Sequence, residues 1–216
     1  MYPSIEMFRA MARPHAVIPV YEEILADLET PVTAYLKLSR GTNHAFLLES
    51  VEKTDVIGRY SFLGAAPSVI FRSKGTRGEI VRDGVTEPLE TNDPLGRLRD
   101  LMKTYQPLPV EGVPAFHGGA VGYISYDTVR FFEKLPDLKP DPLNLPDLYF
   151  MITDTLVVFD HVRNKILIIS NAHVDGEPDA AYNEAARKIM EIRQKLRGPL
   201  MVSTERIHNA AGDPPV

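Results

Sequence analysis

Residues 149–170 read YFMITDTLVVFDHVRNKILIIS. Two apolar runs, 149–160 and 165–170, flank the polar tetrapeptide His161-Val162-Arg163-Asn164. β-Branched and aromatic side chains dominate both runs, and such side chains pack well on a pleated surface. A short polar connection between two runs of this kind predicts an antiparallel hairpin with long arms. That hairpin sets the fold class, because the segments around it repeat the same logic.

Downstream, PDAAYNEAARKIMEIRQKLRG (178–198) places Tyr182, Ala185, Ile189, Ile192 and Leu196 at spacings of three and four, which is one face of a helix. Glu184 with Lys188, and Glu191 with Lys195, add i,i+4 support of a few tenths of a kcal/mol each, roughly. Gly198-Pro199 ends the helix. Upstream, NDPLGRLRDLMKTY (92–105) reads as a second helix. Asp93 is its cap, Pro94 its first residue, and Leu95, Leu98, Leu101, Met102 and Tyr105 its apolar face. SVIFRS (68–73) and GEIVRDG (78–84) read as strands, and Asp83-Gly84 is a hairpin turn signal, because both residues tolerate positive φ.

Nearer the N-terminus, PVYEEILADLE (19–29) has helical spacing through Val20, Ile24 and Leu28, with Pro19 in the first turn. VTAYLKLS (32–39) alternates like a strand, and AFLLES (45–50) is a more buried one. Residues 1–18 read as an irregular arm. HGGAVGYISYDTVRFFEKLP (117–136) reads as strand, turn and short helix, with Asp127 as the cap. The proline-rich 137–148 is a connector, and 201–216 is an aperiodic tail. Hairpins interrupted by helices, without βαβ alternation, predict an α+β fold of largely antiparallel, sandwich-like sheets with flanking helices. The organisation expected is an arm over 1–18, one domain over 19–200 and a tail over 201–216.

The chemistry visible in the sequence is sparse. The 216 residues carry a net charge of −5 and no basic block, so a phosphate-tracking nucleic-acid surface is not expected. With no cysteine, disulfides, thiolate metal sites and cysteine nucleophiles are excluded. That usage fits a reducing cytoplasm. There is no secretory-type N-terminus and no apolar run of about 18 residues, as a membrane span would need. The six histidines are scattered, with none at i,i+3 or i,i+4 from another. Gly118, Gly119 and Gly122 form GGAVG, which lacks the Lys and Ser/Thr of a P-loop, and no GxSxG elbow occurs. These glycines read as tight turning and close strand packing. The carboxylates Asp137/Asp141 and Glu177/Asp179 sit in connectors and read as solvated surface and helix caps. The residues by themselves stop at an α+β domain with no catalytic set.

Several segments together resemble one family. FLLES (46–50), GRYSFLGAAPSVIF (58–71), GGAVGYISYDTVRFFEKLP (118–136) and PDLYFMITDTLVVFDHVRNKILIIS (146–170) are similar to the N-terminal domain of the anthranilate synthase large subunit, in family order and spacing. The resemblance covers roughly residues 20–200. It implies a two-part subunit of a lyase acting in tryptophan biosynthesis. The N-terminal part helps bind the feedback inhibitor L-tryptophan, and an absent C-terminal part holds chorismate and Mg2+ and does the chemistry. The full enzyme makes anthranilate and pyruvate from chorismate, using ammonia from a glutamine amidotransferase subunit. No catalytic or metal residue of that family maps onto this chain, which by this reading is inert alone.

The resemblance assigns inhibitor contact to Ser50 of the LLES motif, with a second wall from Ile57, Gly58, Arg59 and Tyr60. Glu49 is an added candidate, although strand alternation sends it to the face opposite Ser50. A free amino acid with an indole needs donors or an Arg fork for its carboxylate, acceptors for its ammonium, and apolar walls. Without the resemblance, the same residues read as the polar exit of a strand and a strand-edge Arg/Tyr pair. Three rival readings stand beside this one: the large subunit of aminodeoxychorismate synthase, a stand-alone amino-acid-binding module, and a scaffolding domain.

Overall fold

The computed structural model describes residues 1–50, 58–136 and 140–201. In chain order the elements are α1 Ile5–Met11, β1 Val17–Leu25, α2 Pro31–Leu38, β2 Ala45–Leu48, β3 Tyr60–Ala65, β4 Val69–Lys74, β5 Arg77–Arg82 and β6 Val85–Glu90. They continue with α3 Pro94–Met102, β7 Gly119–Ile124, a 3-10 turn Tyr126–Phe131, β8 Leu148–Thr153, β9 Thr155–Asp160, β10 Lys165–His173 and α4 Pro178–Arg197. The strands form two five-stranded sheets, ordered β1-β10-β9-β3-β2 and β6-β5-β4-β8-β7. All named pairings are antiparallel. The fold is α+β, as the hairpin pattern implied.

The hairpin at 161–164 forms, with Lys165 opposite Asp160 and Ile169 opposite Leu156. Its first arm is not one strand. Asp154 interrupts 149–160, so β8 joins the second sheet and β9 the first. The apolar run therefore stitches the two sheets together. Leu148 and Ile152 are buried against α3, while Leu156 and Val158 are buried with Phe46, Leu167 and Ile169 of the first sheet.

Two N-terminal expectations are overturned. The stretch expected as a helix over 19–29 is mostly strand β1, paired along its length with β10. A spacing of four fits both a helix turn and a strand of period two, so Val20 and Ile24 share a face either way. Tertiary burial decides. Val17, Ile18 and Val20 are buried, each contributing about 1.5–3 kcal/mol, against intrinsic propensity differences of about 0.7 kcal/mol or less per residue. Pro19 is tolerated because β1 is an edge strand. The stretch expected as a strand over 32–39 is helix α2. Thr30 and Thr33 form a reciprocal capping box: Thr33 N donates to Thr30 Oγ1 at 3.1 Å, and Thr30 N to Thr33 Oγ1 at 2.9 Å. Pro31 follows the cap, and Ala34 and Leu38, one turn apart, are buried.

The arm 1–18 is likewise more ordered than expected. Ser4 caps α1, and Phe8 is fully buried with its ring edge-on to Tyr182 of α4, 5.3 Å between centroids. One face of the first sheet is thus covered by α1, α2 and α4. Lys37 ties α2 to α4 by donating to the Leu196 carbonyl at 2.6 Å while ion-paired with Glu29. The opposite face meets Val113 and Phe116 from the connection before β7, and Val121 and Met151 of the second sheet.

Asp93 caps α3, accepting from Gly96 N at 2.8 Å, and Asp83 and Gly84 turn with φ of 51° and 78°. Asp127 does not cap. Its carboxylate accepts from Arg130 Nε within the same turn at 2.8 Å, while Ser125 holds the cap position. The GGAVG glycines have steric causes. A Cβ on Gly122 would lie 1.9 Å from the Tyr149 carbonyl oxygen, and Gly118 has φ of 156° with Asn171 Nδ2 2.2 Å from its Cβ position. Gly122→Ala should therefore break the β7–β8 ladder or lower stability by about 2 kcal/mol or more. Hydrogen exchange at Gly119–Ile124 checks this; unchanged protection would refute it. The link 51–57, Asp137 and the tail 202–216 lie outside the described residues.

Candidate functional site

The candidate residues gather at one end of the first sheet. β2 pairs with β3 antiparallel, Leu48 opposite Phe62 and Phe46 opposite Gly64. Two residues further along that register come Ser50 and Tyr60. Continued alternation puts Ser50 on the face of Phe46 and Leu48, and Glu49 on the face of Leu47. Glu49 and Ser50 are exposed, while Gly58, Arg59 and Tyr60 are half-buried. Ile57 lies outside the described residues. On the Ser50 face the rings of Tyr60 and Phe62 are 5.9 Å apart, and Phe116 closes edge-on to Phe62 at 5.2 Å. These rings and the exposed Leu48 make an apolar floor beside a hydroxyl, a carboxylate and a guanidinium.

Arg59 is held from below. Its Nε donates to Asp160 Oδ1 at 3.1 Å and its Nη2 to Asp160 Oδ2 at 2.7 Å, a two-bond fork. The guanidinium carbon sits 4.8 Å from the Tyr60 ring centroid, a cation–π contact. The Asp160 side chain is only 3% exposed. Its Oδ1 also accepts from Val162 N and Arg163 N, both at 3.1 Å, which shapes the β9–β10 turn. Burial alone would raise the Asp160 carboxyl. The Arg59 fork and the turn N–H groups outweigh burial and hold it below the usual carboxylate range. Beside it, His161 N donates to the Arg59 carbonyl at 2.9 Å, and His161 Nε2 lies 2.7 Å from Ser61 Oγ.

The structure thus brings Ser50, Tyr60 and Arg59 to one edge and adds Asp160, Ser61 and His161, which sequence reading passed over. A signal for Asp160 was present: an Asp closing an apolar run just before a polar turn is a side-chain-to-backbone turn former. Nothing local tied it to Arg59, which is 101 positions away.

Among the described residues no three His, Asp or Glu side chains converge on a possible ion. They do not fit the Mg2+ that the resemblance attaches to the enzyme, and no step on this chain runs through it. No described helix is long and apolar enough to cross a membrane.

The family described as chorismate binding enzyme matches residues 43–211. A probable anthranilate synthase component 1 from Schizosaccharomyces pombe is 38% identical over 204 residues, covering 92% of this chain and 38% of that protein. The anthranilate synthase component 1 of Thermus thermophilus is 42% identical over 183 residues, covering 84% and 37%. A crystal structure of anthranilate synthase component I from Streptococcus pneumoniae aligns over 80% of this chain and 37% of its own, with 25% identity and a TM-score of 0.48. The chain therefore spans well under half the length of the curated relatives it matches. The four segments that carry the resemblance lie mostly or wholly within the matched range, and this chain belongs to the chorismate binding enzyme family.

Proposed function

We propose that this chain is the tryptophan-sensing part of an anthranilate synthase large subunit. The observation that carries the proposal is 38–42% identity, over 84–92% of the chain, to proteins named anthranilate synthase component 1. In this reading the enzyme aminates chorismate with ammonia released from glutamine by a partner amidotransferase subunit. It then eliminates pyruvate to leave anthranilate, in the cytoplasm. The chorismate and Mg2+ groups belong to a part of the enzyme outside these 216 residues.

Within the chain, Ser50 meets the inhibitor, and Gly58 and Tyr60 form the facing wall, which by the resemblance Ile57 joins. Arg59 spends its Nε/Nη2 edge on Asp160, so its role is to fix that wall in place. The aromatic floor of Tyr60 and Phe62 suits an indole. Feedback then requires tryptophan to prefer one arrangement of this part against the catalytic part, because a ligand shifts an equilibrium only by its differential affinity.

The test has two readouts. Incubated alone with chorismate, ammonium and Mg2+, the chain should form no fluorescent anthranilate. Calorimetry should find weak or undetectable tryptophan binding, because half the pocket is missing. Anthranilate formation would overturn the division of labour, and tight stoichiometric binding would favour a stand-alone amino-acid-binding module. In the longer enzyme, a 4-amino-4-deoxychorismate product would move the assignment to the folate branch.

A further inference from the structure

A cleft of about 760 Å3 opens where the strand run crosses between the sheets at Asp154. Its walls come from distant stretches of chain: 13–16 before β1, Arg82 at the end of β5, 101–108 at and after the end of α3, His173 at the end of β10 and Asp175 just beyond it. It is separate from the Ser50 edge, and none of the candidate inhibitor residues lines it.

The charges in the cleft do not cancel. Of its two carboxylates, Asp154 is engaged by His173 Nε2 at 2.9 Å, and Asp175 lies 3.5 Å from His15 Nδ1. Lys103 is bonded to Asp100 at 2.7 Å. Arg13 and Arg82 also line the cleft, and among the described residues neither has an ion-pair partner. The fold brings these two guanidiniums, from distant stretches of chain, to one cleft although carboxylates are in surplus over the whole chain. Leu101 and Leu108 add apolar surface, and the Tyr105 ring stands edge-on to His173 at 5.2 Å and 78°. The volume falls in the range of small-molecule sites, which combine apolar walls with a few placed polar groups. Guanidinium forks match carboxylate and phosphoryl oxygens in pairs.

We propose that this cleft binds a small organic anion bearing two or more negative charges, with one anionic group on Arg13 and another on Arg82. Two cations on separate elements select for two anionic groups. Phosphoryl and carboxylate ligands share this chemistry, so the test uses both.

The protein is titrated separately with citrate and with inorganic phosphate at low ionic strength, followed by amide chemical shifts. Saturable shifts should concentrate at 13–16, 82 and 101–106, and should weaken with added salt. Saturation by citrate alone or by phosphate alone supports the site and identifies which group it prefers. Arg13→Ala/Arg82→Ala, which removes both guanidiniums, should weaken binding at least about ten-fold, or about 1.4 kcal/mol. Arg97→Ala on α3, outside the cleft, should leave it unchanged. Both arginines are exposed, so a dispersed spectrum of the double variant confirms the fold, and the single Arg82→Glu change serves if it does not. Absence of saturation with either anion, or equal affinity in the arginine variants, overturns the proposal.

Discussion

Placing arginine at Ser50 in the longer enzyme that carries this chain should release it from tryptophan inhibition while leaving uninhibited turnover within about two-fold. Ser50 lies two residues past β2, on the face of Phe46 and Leu48 and in register with Tyr60. A long cation there fills the space beside the Tyr60 and Phe62 rings and removes a hydroxyl contact. Overpacking of this kind costs about 1–3 kcal/mol, which raises the half-inhibitory tryptophan concentration about five- to 150-fold. Turnover is spared because the proposed chemistry belongs to another part of the enzyme. The measurement is anthranilate formation against tryptophan concentration for both proteins. Unchanged sensitivity would remove Ser50 from the site, and a matching loss of turnover would show that the substitution acts on the fold.

Asp160→Ala should lower stability by about 3–5 kcal/mol, the usual consequence of deleting one partner of a buried ion pair. The change strands Arg59 against Tyr60 and removes an acceptor from Val162 N and Arg163 N, so β3 and the 161–164 turn lose a common anchor. Arg59→Lys should cost less, because a charge remains but the two-bond fork does not. The pH dependence separates the ionic part from packing. The Asp160 carboxyl is depressed in the fold, so its contribution is fully present above its unfolded value of about 3.9 and is lost as pH falls through the folded value. The gap between wild type and Asp160→Asn should therefore be widest above about pH 5 and narrow below about pH 4. Denaturant unfolding at several pH values measures it. A constant gap would mean the charge is irrelevant.

Local signals read correctly wherever one signal had one solution. The polar 161–164 turn, Asp83-Gly84 at positive φ, Asp93-Pro94 at a helix start and the three-four spacing of α4 all have short-range causes. Reading failed where a pattern had two solutions. Val20 and Ile24 fit a helix turn as well as a strand, and the choice came from β10, about 145 residues away. Thr30 and Thr33 close a capping box that the alternation of 32–39 concealed. The polar Thr153-Asp154-Thr155 interrupts the apolar run 149–160, but nothing local says that the chain changes sheets there.

The candidate site divides along the same line. Its residues were chosen from the short motifs LLES and GRYS, and the inhibitor role rests on that resemblance. Residue order could not tell that Arg59 is occupied by Asp160, or that Arg13 and Arg82 share a cleft. Helix caps, turns and amphipathic spacing depend on energies exchanged within a few residues, so the chain alone determines them. Strand partners, the crossing at Asp154 and the pairing of charges depend on which distant surfaces become buried together, and only the packed molecule decides that.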